Sequence, residues 1–252
     1  MKSAVSRILK FITLAVLVFL LGSVGSVLFY RFVPVAFTPL MGIRCVQAAF
    51  SGQWLGVDKS WVPLSEIAPS MQKAVLKSED ARFFEHNGFD YEAIEKAMKY
   101  NKTHKKIKGA STISQQTAKN VFLWPSRDWI RKGVEAYFTV LIEAIWSKER
   151  IMEVYLNVIE MGPGVYGVEA ASQRYFHKSA KNITASEASL IAAVLPNPRR
   201  FRIDHPSRYV VNRQRRILYR VSPPLPIQDE KASLLDYFDL KFDNDDEGDS
   251  RN

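Results

Sequence analysis

Three groups of polar residues in the middle of the chain have the types and spacing to perform chemistry. Two carboxylates, Glu79 and Glu135, lie in separate groups, and uncharged donors with a lysine lie between them. A carboxylate can remove a proton, while amides, hydroxyls and a cation can hold a sugar or a phosphate. The pattern predicts general-base chemistry on an anionic substrate. The groups comprise Glu79, Asp80, Phe83 and His86, then Thr112, Gln116, Lys119 and Asn120, then Arg131 and Glu135.

The first group is predicted to lie on one helix that ends at Gly88. If this helix continues through residue 86, Glu79, Phe83 and His86 fall at i, i+4 and i+7, so the carboxylate and the imidazole share a face. That face could carry a catalytic base. The competing interpretation is that Glu79 and Asp80 are solvated charges paired with neighbouring basic residues.

The second group forms a polar stripe on a helix that residues 109–111 are suited to open. Thr112, Gln116, Lys119 and Asn120 fall at i, i+4, i+7 and i+8. Because helix N-termini and lysines both attract phosphate, the stripe indicates a sugar-phosphate site. A solvated helix face is the alternative, although such a face would normally mix acids and bases.

Two later helices and one loop carry further candidates. A helix near Trp129–Trp146 places Arg131 and Glu135 one turn apart, which also fits a simple ion pair. The next helix, opened by Ser147, bears Lys148, Arg150 and Asn157. Residues 96–108 are rich in lysine, which fits either a solvated loop or attraction to anionic lipid headgroups or a lipid-linked diphosphate.

Composition limits the partners. The chain has 252 residues, 47% of them hydrophobic, and a net charge of +9. This content is ample for a core, and the charge favours an anionic partner such as nucleic acid, a phospholipid surface or a phosphate-bearing substrate. The single cysteine, Cys45, excludes an internal disulfide.

An uncharged stretch near the N-terminus is long enough to cross a bilayer. Residues 11–30 would span about 30 Å as a helix. Lysine and arginine residues precede this stretch within residues 1–10, so the N-terminus is predicted to be cytoplasmic and everything after residue 31 to lie outside. A cleavable signal peptide is the alternative, but its apolar region is usually shorter. Nucleic acid is therefore not expected as a partner of this exported domain.

The remainder divides by composition into three segments. Residues 31–62 contain several prolines and glycines, which predicts an irregular linker or stalk. Residues 63–222 are predicted to form the main domain; from Pro69 to Leu195 its apolar residues recur mostly at helical spacing, so the fold class is mainly α. Asp90 and the Thr184–Glu187 pair are predicted to cap helices. Residues 223–252 are acidic and are predicted to form a disordered tail.

These motifs together resemble those of the peptidoglycan glycosyltransferases. The matching motifs keep their order and spacing over roughly 130 residues, and we expect no transpeptidase domain after them. The chain therefore looks like a monofunctional biosynthetic member of that family. The matching segments are Glu79-Asp-x-x-Phe83-x-x-His86-x-Gly88, residues 109–116 with Lys119-Asn120, Arg131-Lys-x-x-Glu135, residues 147–157, residues 164–168 and residues 195–198.

The resemblance implies a lysozyme-like helical lobe, a smaller membrane-associated lobe and a cleft between them. It implies polymerisation of lipid II into β-1,4 glycan strands with inversion and release of undecaprenyl diphosphate. By that resemblance Glu79 is the general base, and Glu135 is a second catalytic carboxylate associated with a divalent metal or with the diphosphate site. Substrate-binding roles are implied for Asp80, Phe83, His86, Thr112, Gln116, Lys119, Asn120, Arg131, Lys148, Arg150 and Asn157.

The same resemblance implies the surroundings of the reaction. The cofactor would be Mg²⁺ or Mn²⁺ without a dedicated protein cage, and no organic cofactor is expected. The partners would be lipid II, the lipid-linked glycan chain, an anionic membrane surface and cell-division or other cell-wall synthesis proteins, at the bacterial inner membrane. Two alternatives remain: a lytic enzyme of the lysozyme type, and a non-catalytic anchored scaffold for cell-wall assembly.

Overall fold

The computed structural model describes residues 2–52, 56–104, 107–126 and 128–223. Within these residues the chain is mainly helical, as the sequence predicts. The predicted acidic tail lies outside the described residues apart from Pro223, and so do Lys105 and Lys106 of the lysine-rich stretch. The helices are α1 (Lys2–Phe32), α2 (Pro39–Phe50), α3 (Pro69–Glu79), α4 (Tyr91–Thr103), α5 (Ile113–Phe122), α6 (Trp129–Ile145), α7 (Lys148–Val158), α8 (Val168–Phe176), α9 (Ala185–Val194) and α10 (Arg208–Val221).

Helix α1 contains the predicted membrane span. Within its residues Val5–Phe32, an 18-residue window reaches a mean hydropathy of 2.5, and the segment is long enough to cross a bilayer. Most side chains along this stretch are exposed, whereas Val27 is fully buried where the helix meets the rest of the chain. A lipid-facing helix has this burial pattern, because lipid covers the faces that the protein does not.

The segment after α1 differs from the predicted irregular linker. Residues 39–50 form helix α2, which the Thr38 hydroxyl caps by accepting a hydrogen bond from the Met41 amide. Pro39 occupies the first turn, where its missing N–H costs nothing. The proline that suggested irregular structure therefore starts a helix.

The body is a helical core closed by a small sheet. Helix α5 packs against α6 and α7, while α9 packs against α3 and α10. Strand β1 (Asp58–Lys59) pairs in parallel with β3 (Val165–Tyr166), and β2 (Glu160–Gly162) pairs with β3 antiparallel. The fully buried side chains include Met71, Ile113, Ile151, Tyr155 and Leu156. One end of α3, one end of α6 and one side of α5 border a common opening.

Local sequence signals fix most helix starts. Asp90, Thr112, Ser147 and Thr184 each accept a hydrogen bond from the backbone of the first turn that follows. Thr112 and Thr184 also form complete capping boxes. The predicted starts at Asp90, Ser147 and Thr184 are confirmed, because capping depends only on residues within one turn.

Helix α3 ends earlier than the sequence predicted. It stops at Glu79, and residues 81–88 form turns before α4. Asp80 leaves the helical conformation with φ of −160°, and its carboxylate turns toward the start of α5. The prediction that Glu79, Phe83 and His86 share one helical face is therefore wrong.

Candidate active site

A cleft of about 1340 Å³ opens beside the C-terminal end of α3. Its walls come from helices α2, α3, α4, α5, α6 and α10, from strand β2 and from the segment after α9. Seven of the thirteen residues predicted to be catalytic or substrate-binding line it: Glu79, Asp80, Thr112, Gln116, Lys119, Asn120 and Arg131. Residues from three separate motifs thus meet in one cavity.

Glu79 lies at this opening with its side chain only 11% exposed. Gln116 Nε2 donates to its Oε2 at 3.1 Å, and the Ser78 hydroxyl donates to Oε1 at 2.9 Å. Arg213 Nη2 also donates to Oε1 at 3.2 Å. The carboxylate is therefore held in one orientation by donors from three helices, while it still faces the cleft.

A buried tyrosine orients the glutamine that holds Glu79. The Tyr155 hydroxyl donates to Gln116 Oε1 at 3.3 Å, which leaves the amide nitrogen to face Glu79. Burial raises the pKa of Tyr155 well above its usual value, and the nearby Glu79 and Asp80 carboxylates raise it further. Tyr155 consequently stays a neutral donor, and the chain of hydrogen bonds runs in one direction.

Asp80 joins the end of α3 to the beginning of α5. Its Oδ2 accepts a hydrogen bond from the Ile113 amide at 3.0 Å, and Oδ1 accepts one from His86 Nε2 at 3.0 Å. A carboxylate at a helix N-terminus satisfies an unpaired amide and complements the helix dipole. Asp80 and His86 are both buried, so the pair fixes the distance between the Glu79 and Gln116 helices.

Thr112 and Gly88 hold the loop that crosses this region. The Thr112 hydroxyl donates to the Gly88 carbonyl at 2.6 Å. Gly88 has φ of +90°, and an added Cβ would lie 2.8 Å from Thr139 Cγ2. Both the backbone angle and the close approach therefore require glycine at this position.

A group of cations lies on the other side of the cleft. Arg131 Nη1 donates to Glu135 Oε2 at 2.5 Å, and Lys132 contacts the other carboxylate oxygen. Burial lowers the pKa of Lys119 from its usual 10.5, Glu135 opposes this effect, and Arg131 and Lys132 add to it. Among the described residues no hydrogen bond or ion pair to the Lys119 amine occurs. Lys119 is half-buried, and within the described residues no anion pairs directly with its amine.

Glu135 is poorly suited to hold a metal by itself. Both of its carboxylate oxygens face cationic side chains, and it is 3% exposed. No cluster of three histidine, cysteine, aspartate or glutamate residues that could hold a metal ion occurs in the described part of the chain. Divalent cations prefer several oxygen ligands, so any ion at this place would need oxygens from the substrate.

Five residues assigned to substrate binding lie apart from the described lining of the cleft. Phe83 is fully buried in the core, and His86 is bound to Asp80. Lys148 Nζ donates to the His86 carbonyl at 2.6 Å and to Glu143 at 2.8 Å. The two others are Arg150, which contacts the end of α1, and Asn157, which bonds to both backbone groups of Val62.

Sequence reasoning did not identify several residues of the cleft. Arg213 contacts Glu79 from α10, more than 130 positions away, and no local signal distinguishes it from its arginine neighbours. At another wall of the cleft, Arg44 Nε lies 3.8 Å from Glu160 Oε2. Burial raises the pKa of the Glu160 carboxyl, and Arg44 and Arg199 oppose that shift.

Comparison with known proteins places the chain in a family. The transglycosylase family model matches residues 49–222. The chain is 69% identical over 247 residues to a biosynthetic peptidoglycan transglycosylase of Bdellovibrio bacteriovorus, with 98% of each chain covered. It is 50% identical over 230 residues to a protein of the same name from Bacteroides thetaiotaomicron, covering 90% of this chain and 93% of the relative. A third, from Escherichia coli, is 54% identical over 196 residues, covering 77% and 81%. The chain belongs to the transglycosylase family.

Proposed function

We propose that the protein is a monofunctional peptidoglycan glycosyltransferase that polymerises lipid II during cell-wall synthesis. Family membership and the names of the relatives support the reaction class. The observation that carries the proposal is the cleft itself, where a positioned carboxylate, Glu79, faces the same space as Lys119 and Arg131. A base and a diphosphate-binding cation are the two parts that this transfer needs.

Glu79 acts as the general base. It removes the proton from the 4-hydroxyl of the acceptor N-acetylglucosamine, whose oxygen attacks C1 of the donor from the face opposite the diphosphate. The bond from C1 to the diphosphate oxygen breaks, so the configuration inverts. Gln116, Ser78 and Arg213 support the orientation of the carboxylate. A preorganised base of this kind typically contributes 10²–10⁴-fold to a rate.

Lys119 and Arg131 neutralise the departing undecaprenyl diphosphate. Charge on the leaving group grows as the bond breaks, and fixed cations in a partly buried site stabilise it without reorganisation. Glu135 holds Arg131 in place and partly balances the neighbouring cations. Mg²⁺ or Mn²⁺ would neutralise further charge on the diphosphate. The roles of Glu79, Lys119 and Arg131 do not depend on such an ion.

The protein works at the bacterial inner membrane as a single-pass protein. Helix α1 is long and apolar enough to be the anchor. The lysine and arginine residues before the span favour a cytoplasmic N-terminus and an extracytoplasmic cleft. Partners then include the anionic membrane surface, the growing lipid-linked glycan chain and other cell-wall or cell-division proteins.

The test is incubation of the purified full-length protein with labelled lipid II and, separately, with finished glycan strands. A polymer that lysozyme digests is the expected product from lipid II, with finished strands left intact. Shortened strands and no polymer would instead identify a lytic enzyme. No change to either substrate would identify a non-catalytic scaffold.

A further inference from the structure

Arg150, in the first turn of α7, binds the C-terminal end of the apolar helix α1. Its Nε and Nη2 lie 3.1 and 2.7 Å from the Tyr30 carbonyl oxygen, and Nη2 lies 2.7 Å from that of Val33. The last carbonyls of a helix have no amide partner within the helix. Pro34 aggravates this for Tyr30, because proline at i+4 has no N–H to donate. Arg150 supplies the missing donors.

The rest of the guanidinium is also engaged. Nη1 donates to Glu153 Oε1 at 3.0 Å, and the group lies over the Trp61 ring at 5.2 Å. The side chain is 14% exposed and lies apart from the described lining of the cleft. Little of its hydrogen-bonding capacity is left for a substrate anion.

Two other side chains bind the same face of α1. Trp146 Nε1 donates to the Val27 carbonyl at 2.8 Å, and Tyr137 and Ser23 share a hydroxyl hydrogen bond of 2.6 Å. Positions 23, 27 and 30 follow the i, i+4, i+7 spacing of one helical face. Ser23 and Val27 are buried. Side chains from α6, its C-cap and α7 therefore hold the last turns of α1 by hydrogen bonds.

Helix α7 also reaches the candidate catalytic carboxylate. Tyr155, five residues after Arg150, donates to Gln116, and Gln116 donates to Glu79. The contact with the anchor and the contact with the site thus lie on one 11-residue helix. An anchor held at Arg150 has a defined orientation relative to the cleft.

We propose that Arg150 is a positioning residue that locks the membrane anchor to α7 and so sets the height and tilt of the cleft above the bilayer. It does not bind the substrate diphosphate. The functional consequence rests on the proposed lipid II reaction, whereas the locking itself does not.

The test compares the full-length protein with Arg150→Met and Arg150→Lys, in bilayers and in detergent. Arg174→Met is the matched control, since Arg174 is an exposed arginine on α8 paired only loosely with Asp58 at 3.7 Å. Two quantities are measured: amide hydrogen exchange of residues 27–33, and kcat and KM on lipid II.

Both Arg150 variants should speed amide exchange at residues 27–33 by about tenfold or more. Methionine has no donor for the two carbonyls, and the single ammonium of lysine cannot bridge two carbonyls and a carboxylate. In bilayers kcat/KM should fall by about tenfold, and in detergent by less than about threefold, since no surface orients the cleft there. The control should change neither quantity. If Arg150→Met fails to fold, Arg150→Lys carries the same comparison.

Unchanged exchange, together with a raised KM in both media that Arg150→Lys restores, would overturn the proposal and make Arg150 a diphosphate ligand. Equal losses of activity in bilayers and detergent would also overturn the positioning role. If the parent protein did not polymerise lipid II at all, the proposed function would fail, and the exchange measurement would still decide whether Arg150 locks the anchor.

Discussion

At the scale of single residues, the two sides of the cleft differ. Glu79 accepts hydrogen bonds from several donors, whereas no anion among the described residues pairs directly with Lys119. Glu79 receives hydrogen bonds from Ser78, Gln116 and Arg213. Lys119 is half-buried near Glu135 and Arg131, without a direct partner among the described residues. Removing a cation from water without a paired anion is costly, and such groups are often found at functional sites. We therefore propose this amine as the place where the substrate anion binds.

Removing that amine should slow transfer. Lys119→Ala is expected to lower kcat/KM on lipid II by about tenfold or more, because the charge-assisted contact strengthens as the diphosphate leaves. The control is Lys181→Ala, which removes an exposed lysine paired with Glu66 at 3.1 Å and should leave kcat/KM unchanged. A parent-like rate for Lys119→Ala, with helix content intact by circular dichroism, would show that Lys119 does not contact the leaving group.

The pH dependence of kcat/KM should reflect the protonation of Lys119. Lys119 binds an anion only when protonated, and burial lowers its pKa from 10.5. As pH rises through this lowered pKa the charge is lost, so kcat/KM should fall at a lower pH than an ordinary lysine would produce. Lys119→Arg keeps its charge and should move this alkaline limb upward. An identical limb in both proteins would assign it to another group.

At the scale of elements, the active geometry depends on how α3 meets α5. Asp80 ends α3 and accepts hydrogen bonds from the Ile113 amide and from His86. Thr112 caps α5 and also bonds to the Gly88 carbonyl. These contacts hold Gln116 within reach of Glu79, so elements far apart in sequence act as one unit.

Asp80→Ala should therefore reduce both stability and activity. The change leaves a buried amide and imidazole without their acceptor, which costs about 2–4 kcal/mol in the free energy of unfolding. Thermal or denaturant unfolding in detergent measures this loss. Asp204→Ala, which removes an exposed pair with Arg202, should cost less than about 1 kcal/mol. Equal costs for the two variants would show that Asp80 is not a structural joint.

How much the sequence predicts depends on the range of each interaction. The starts of α4, α7 and α9 follow from Asp90, Ser147 and Thr184, because caps are local. The end of α3 was predicted incorrectly, since only contact with α5 explains why Asp80 leaves the helix. Arg213 was missed for the same reason: its partner Glu79 comes from a distant helix.

At the scale of the whole molecule, a few directed hydrogen bonds join the long apolar helix α1 to α6, its C-cap and α7, and α6 borders the cleft. The apolar stretch Val5–Phe32 is mostly exposed, and its buried face meets α6. A lipid-linked substrate is confined to the bilayer surface, so attachment raises its effective concentration near the cleft.

Deletion of residues 1–31 should consequently lower turnover of lipid II in bilayers more than in detergent, where substrate and enzyme share micelles. Turnover rates in the two media, measured at equal protein concentration, give the comparison. A matched control is deletion of residues 244–252, part of the acidic tail, which should change neither rate. An equal loss of turnover in the two media would exclude a role for the anchor in positioning.

The most direct test of the account is the chemical step in Glu79→Gln. Glutamine keeps the size and can still accept a hydrogen bond from Arg213, but it cannot take the acceptor proton. Single-turnover transfer from lipid II should fall by about 10²-fold or more, while lipid II binding stays close to that of the parent protein. Glu85→Gln, an exposed neighbour, should behave as the parent does. A folded Glu79→Gln protein that polymerises lipid II at the parent rate would contradict the account and make Glu135 the leading base.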